Sequence, residues 1–260
     1  MTPTTSFGAL ARRCVAAAFA AVAVLLGTAA LAAEAPAVLV VGEFSAARAG
    51  GALPSGWKPL TFDKIEAHTA YTLVESDGAV VLQADSRDAS SGVTREIAID
   101  PNRHPIVEWR WKIANVLDGG DVTRKSGDDY PARLYITFAY DRAKVGWFAK
   151  AKYEAARLLY GQYPPLGALN YIWASQAATG TVTPNPYTER VQMIVLQSGA
   201  EKVGQWVGES RNIRDDYRAA FGHDAPMISG VAVMTDTDNT HESARAWFGD
   251  IVFKAAENAE

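Results

Sequence analysis

The chain has 260 residues, a formal net charge of −4, one cysteine, seven tryptophans and hydrophobic residues at 48%. The weak acidic balance gives no electrostatic footprint for nucleic acid. Cysteine usage excludes a disulfide scaffold, so the fold has to be held by an apolar core, which a chain of this length can build.

The first segment reads as an address. Arg12 and Arg13 form a positive start, Val15 to Leu26 is apolar, and Ala30-Leu31-Ala32 places small residues at a signal-peptidase site. The pattern predicts a signal peptide over 1–32, one domain over 33–260 and a periplasmic or secreted location. The apolar run is short for a membrane span. Cys14 leaves with the signal, so the mature chain is expected to be cysteine-free and not membrane-spanning.

From Val38 short apolar runs alternate with turn signals. Val38–Phe44, Trp57–Phe62, Thr69–Glu75 and Ala79–Ala84 are rich in β-branched and aromatic residues, and Ser76-Asp77-Gly78 is the best hairpin turn. Val93–Asp100 follows. The clearest strand is Ile106–Ile113, with Val107, Trp109, Trp111 and Ile113 on one face and Glu108, Arg110 and Lys112 on the other. Similar splits in Arg133–Tyr140, Arg190–Gln197 and Trp206–Ile213 predict antiparallel strands. Val145, Phe148, Ala151, Ala155 and Leu158 recur at helical spacing, predicting one helical insertion over about 142–160. A second short helix is predicted at Asp215–Phe221, closed by Gly222, and two last strands at Val231–Met234 and Ala246–Phe253. Many short strands and one convincing helix predict an all-β sandwich of jelly-roll type, with a closed barrel as the alternative.

Three constellations could carry chemistry. The loop after Met234 packs Asp236, Asp238, Asn239 and Thr240 together. It could bind a hydroxylated ligand, hold a hard cation such as Ca2+ on Asp236 and Asp238, or simply satisfy its own turn. The segment Lys125–Arg133 feeds Asp128 and Asp129 toward Arg133, which suits either sugar hydroxyls or a plain ion pair. A face bearing Glu108, Arg110, Arg133, Tyr135, Arg190, Gln192, Glu209 and Arg211 is either a planar-recognition surface or an ordinary solvated one. Asn170-Tyr171-Ile172-Trp173 adds an amide beside two rings. No nucleophile elbow, phosphate loop or zinc spacing is present.

Taken in order, Gly127-Asp128-Asp129-Tyr130 with Arg133, Asn170-Tyr171-Ile172-Trp173, Glu209-Ser210-Arg211-Asn212-Ile213 with Asp216-Tyr217, and Met234 to Thr240 closing on Gly249-Asp250-Ile251 resemble the bacterial domain-of-unknown-function 3047 family. The resemblance implies an exported protein of unassigned activity. The last strand also looks like the closing strand of carbohydrate-binding jelly rolls. The leading expectation is a non-catalytic domain binding a glycan or other small polar ligand through Asp128, Asp129, Arg133, Asn170, Trp173, Arg211, Asp236, Asp238 and Asn239. A glycoside hydrolase or lyase using paired aspartates is one alternative. A cell-envelope interaction protein, docking a protein partner through the predicted helix, is the other.

Overall fold

The structure is a computed structural model and describes residues 37–140 and 165–256. The predicted signal peptide and the predicted helical insertion lie outside the described residues. Those that are described belong to one compact unit, residues 35–260. Among the described residues fourteen strands build two sheets. In chain order they are β1 Val38–Gly42, β2 Trp57–Leu60, β3 Ala70–Ser76, β4 Ala79–Arg87, β5 Ser90–Ile99, β6 Ile106–Ile113 and β7 Ala132–Phe138. They continue with β8 Gly167–Ala174, β9 Val182–Asn185, β10 Thr188–Ser198, β11 Val207–Asn212, β12 Ile228–Asp236, β13 Ser243–Phe248 and β14 Ile251–Lys254.

One sheet, called A, runs β1-β14-β6-β13-β4-β3, with β11 on the other edge of β6. The other, B, runs β2-β5-β12-β7-β8-β10-β9. The chain passes from one sheet to the other between β1 and β2, β2 and β3, β4 and β5, β5 and β6, β6 and β7, β10 and β11, β11 and β12, and β12 and β13. That repeated crossing is the jelly-roll manner of closing a sandwich. The inner faces share one core. Trp109 and Trp111 of β6 meet Tyr171 and Trp173 of β8, with ring centroids 5.4 and 6.1 Å apart. The alternation along β6 is followed residue by residue, each odd-numbered side chain from Val107 to Ile113 being buried.

Several expectations change. Strand β10 lies parallel to β8, not antiparallel to it. Its stretch Met193–Leu196 is buried on both faces, Ile194 and Leu196 in the main core and Met193 and Val195 in a smaller cluster with Tyr130 and Ile172. Two-sided burial removes the polar face on which the antiparallel reading depended. The stretch Ala246–Phe253 is two strands, because Gly249 and Asp250 interrupt it where Gly249 N–H donates to Arg110 O at 2.9 Å. Strands β8 and β9 lie outside the strands that the sequence pattern predicts. The one α-helix among the described residues, α1 Ile213–Phe221, starts two residues early. Asn212 caps it by accepting from Arg214 N and Asp215 N at 3.1 and 3.4 Å, and Gly222 ends it at φ +77°.

The proposed eight-residue polar face does not exist. Glu108, Arg110, Glu209 and Arg211 belong to sheet A, while Arg133, Tyr135, Arg190 and Gln192 belong to sheet B. Within sheet A, Glu209 stands opposite Trp109 and Arg211 opposite Val107. Both therefore point to the inner side of an edge strand, whereas Glu108 and Arg110 point outward.

Close strand packing gives a first prediction. A Cβ on Gly92 of β5 would lie 2.8 Å from the Val233 carbonyl of β12, a backbone atom that cannot move aside. Gly92→Ala is expected to lower stability by about 1–3 kcal/mol, read as a fall in the urea midpoint with an unchanged slope.

Candidate functional site

The site stands on the outer face of sheet B, where β7 begins and β12 ends. Along β7, Leu134, Ile136 and Phe138 face the core, so period-two geometry turns Arg133, Tyr135 and Thr137 outward. Pairing then fixes the neighbours: Arg133 lies opposite Met234 of β12 and Ile172 of β8, and Tyr135 lies opposite Asn170, which is next to Met193 of β10. The loop before β7 folds over this face, burying Val122 and Tyr130 on Ile172, Ala174, Met193 and Val195.

At the centre is Arg133, only 2% exposed. Its Nε donates to Asp236 Oδ1 at 2.8 Å and its Nη2 to Asp236 Oδ2, a two-pronged pair. Nη2 also donates to the Asp128 carbonyl, and Nη1 to the Tyr135 hydroxyl at 3.0 Å. The guanidinium lies 4.2 Å from the centre of the Tyr130 ring. Asp236 is 3% exposed and takes a third donor, Tyr130 N, at 3.2 Å. Burial opposes both charges, pushing the Asp236 carboxyl up and the guanidinium down, and each partner is the other's main counterweight. Arg133 ends well above its ordinary range. Burial likewise lifts the Tyr135 hydroxyl to about 12, so it stays protonated and can donate.

Asp129 is fully buried and performs a different task. It accepts from Asn239 N and Nδ2, both at 3.0 Å, and from Thr240 N and Oγ1 at 2.7 and 2.8 Å. A carboxylate with four donors is a loop clasp, holding the segment after β12 onto the segment before β7. Asp238 is half-buried, and burial with the Asp129 charge beside it raises its carboxyl.

The structure thus brings together Asp128, Asp129, Arg133, Asp236, Asp238 and Asn239, six of the nine residues singled out in the sequence. Asn170 joins their face through Tyr135. Trp173 does not, because it is buried in the main core and its Nε1 donates to Gly199 O at 3.1 Å. Arg211 lies in the other sheet, paired with Asp216. Sequence reasoning missed Asn185, whose Nδ2 donates to Asp128 Oδ2 at 2.8 Å, and Tyr187, whose hydroxyl donates to Asn239 Oδ1 at 2.8 Å. The turn Asn185-Pro186-Tyr187 was the available signal, since an asparagine before proline favours turn formation.

Carboxylate oxygens of Asp129, Asp236 and Asp238 lie within 4.8 Å of one another, the spacing a hard cation uses. Here the donors on Asp129 and Asp236 already occupy those oxygens, and the guanidinium supplies the positive charge. A metal would have to compete with both.

Not every valence in the site is filled. Asn170 is 0% exposed, yet neither its Oδ1 nor its Nδ2 has a hydrogen-bond partner. Asp128 is 6% exposed, and its Oδ1 has none either, with Arg133 Nη1 standing off at 3.6 Å. Such atoms are rare in folded proteins and each costs about 1–3 kcal/mol.

Fold and site together define an all-β sandwich carrying a buried, arginine-centred polar network with open valences on the outer face of one sheet. The chain belongs to the family described as "Protein of unknown function (DUF3047)", whose pattern matches residues 55–252. No curated protein matches the chain. Among solved structures it is similar to a family 29 carbohydrate-binding module from Piromyces equi, with a TM-score of 0.35 and 10% identity over 86% of this chain and 93% of that one. It is also similar to the native family 12 xyloglucanase from Bacillus licheniformis, at TM-score 0.44 and 7% identity over 84% of this chain and 100% of that one. A third is endoglucanase 3 of family GH12 from Trichoderma harzianum, at TM-score 0.39 and 12% identity over 84% and 97%.

The buried pair yields a second prediction. Arg133→Met leaves Asp236 without its counter-charge and is expected to cost about 3–5 kcal/mol, while Arg133→Met/Asp236→Leu recovers much of the loss. In the single variant burial holds the Asp236 carboxyl above its unfolded value. The folded state then binds the extra proton, so the deficit should shrink as pH falls toward about 4 and grow as pH rises. Urea unfolding across that range checks both statements.

Proposed function

We propose that the protein is an exported, periplasmic or secreted, non-catalytic binding domain for a glycan or similar polyhydroxylated ligand. The ligand docks on the outer face of sheet B beside Arg133. What carries the reading is the set of open valences just described: a buried amide with a free donor and a free acceptor, and a buried carboxylate oxygen beside a guanidinium. Hydroxyl groups both donate and accept, so neighbouring hydroxyls of one ligand could satisfy Asn170 Oδ1 and Nδ2 while another donates to Asp128 Oδ1. Entry is from the rim, where Tyr187 is 55% exposed and Asp238 and Asn239 are half-buried. Export is supported by the charge, apolar run and small-residue pattern of residues 12–32.

Binding without catalysis is favoured over glycoside cleavage by the state of the acids. Asp129 and Asp236 are held by four and three donors. Neither is free to shuttle a proton to a glycosidic oxygen or to attack a sugar ring.

The test is a thermal-shift screen of the purified mature protein against cell-wall and plant oligosaccharides, repeated on two variants. A binding sugar should raise the melting temperature of the wild type, and both Asn170→Leu and Asp128→Asn should remove that rise. Without sugar, Asn170→Leu is expected to be as stable as the wild type or more so, because it removes an unsatisfied buried amide. If the sugar-induced rise survives in Asn170→Leu, the proposed site is wrong. Calcium or EDTA is expected to leave the melting temperature unchanged, since Asp236 is already held by Arg133 and Asp129 by the Asn239 and Thr240 donors.

A further inference from the structure

The opposite outer face, on sheet A, carries a groove of about 530 Å³ that the proposed function does not use. Ser45, Glu108, Arg110, Ser210 and Asp250 line it, where the bulge between β13 and β14 passes along β6. Its two acids are already engaged. Glu108 pairs with Lys254 at 2.6 Å, and Asp250 accepts from Ser45 N at 2.8 Å and from the Ser45 hydroxyl. The Arg110 guanidinium has no hydrogen bond or ion pair to any described residue.

That guanidinium is nonetheless held in place. It lies 4.6 Å from the centre of the Trp206 indole, and the indole is itself fixed by donating its Nε1 to Asp77 at 2.8 Å. The same carboxylate takes Lys112 Nζ at 2.7 Å, and these two donors bring Asp77 down to about 2, so it remains an anion. On the other side the stem of Arg110 passes over Gly249. A Cβ there would stand 2.6 Å from Arg110 Cγ and 2.8 Å from Nε. An arginine stacked on an indole, seated over a glycine and offering unused N–H groups to a groove is pre-organised for a flat oxyanion.

We propose that the sheet A groove is a second ligand site, independent of the Arg133 site, that takes a hydroxylated ring bearing a single carboxylate, the chemistry of a uronic acid. Arg110 grips the carboxylate with its planar fork. Glu108 and Asp250 accept from ring hydroxyls, and Ser45 and Ser210 can donate or accept. The two acids also set the limit of one negative charge, because a second anionic group on the ligand would meet them. A bare inorganic anion gains only the arginine.

NMR titration of the mature protein tests this with three probes: methyl glucuronoside, its methyl ester, and inorganic phosphate. The free acid is expected to bind about tenfold or more tightly than the ester, the worth of one charge-assisted fork. Arg110→Met, which keeps the stem over Gly249 and against Trp206, should reduce the acid to the level of the ester. Gly249→Ala should do the same by displacing the arginine, and Asn170→Leu should change nothing. Equal binding of acid and ester, no binding of the acid, or an Arg110→Met protein that folds and still prefers the acid would each overturn the proposal. Phosphate binding as tightly as the acid would overturn the requirement for a ring.

Discussion

The ion pair between Arg133 and Asp236 is the constraint on which the rest of the sheet B face depends. Two charges that are 2% and 3% exposed cannot sit there singly, and each requires the other in a fixed, two-pronged geometry. Meeting that requirement positions the chain on both sides. It joins the start of β7 to the end of β12, holds the Asp128 carbonyl through Nη2, and keeps Tyr130 under the guanidinium. Asp129 then extends the arrangement by clasping residues 239 and 240. The loops over sheet B are ordered by charge satisfaction more than by apolar burial, since the cluster beneath them is small.

The two outer faces are consequently built on different principles. On sheet B a loop covers the strands and hides a polar network, so its open atoms are few and deep. On sheet A cationic side chains lie across indoles. Lys112 Nζ stands 4.9 Å from both the Trp206 and Trp247 rings, and Trp247 Nε1 donates to Gln83 at 3.0 Å. That face is shallow, and the Arg110 guanidinium brings spare hydrogen-bonding capacity to it. A ligand of sheet B would complete a buried network, whereas a ligand of sheet A would settle on a prepared surface.

How far this was legible in the sequence follows from side-chain period. Strand β6 could be read outright, because only one of its faces is buried and it alternates cleanly. Strand β8 could not, because all eight of its residues are buried and no alternation survives. The site was half legible for the same reason. Asp128, Arg133 and Asp236 announce themselves as charges beside strand ends. The error over Trp173 came from treating Asn170–Trp173 as a unit, when residues three apart on a strand point to opposite faces. Arg211 matches the other candidates in residue type alone, and only pairing reveals that β11 belongs to the other sheet. In the sequence Asn170 stands out only as an amide beside two rings. Its actual interest, an amide with no partner, is a property of three strands at once and has no trace in local sequence.

The acidic loop Asp236–Thr240 first invites a metal reading, and the arginine explains why such clusters need not hold one. A hard cation collects oxygens from all directions and sheds water to do so. A guanidinium supplies one positive charge with directional N–H groups and is only weakly hydrated, so it enters a buried site at lower cost. Once Arg133 occupies the centre, Asp236 and Asp128 orient toward its plane and Asp129 is free to serve the neighbouring loop. The remaining acceptor, Asp128 Oδ1, faces Arg133 Nη1 at 3.6 Å, too long for a good hydrogen bond. That gap leaves Asp128 Oδ1 able to take a further donor, whereas Asp129 and Asp236 are already held by theirs.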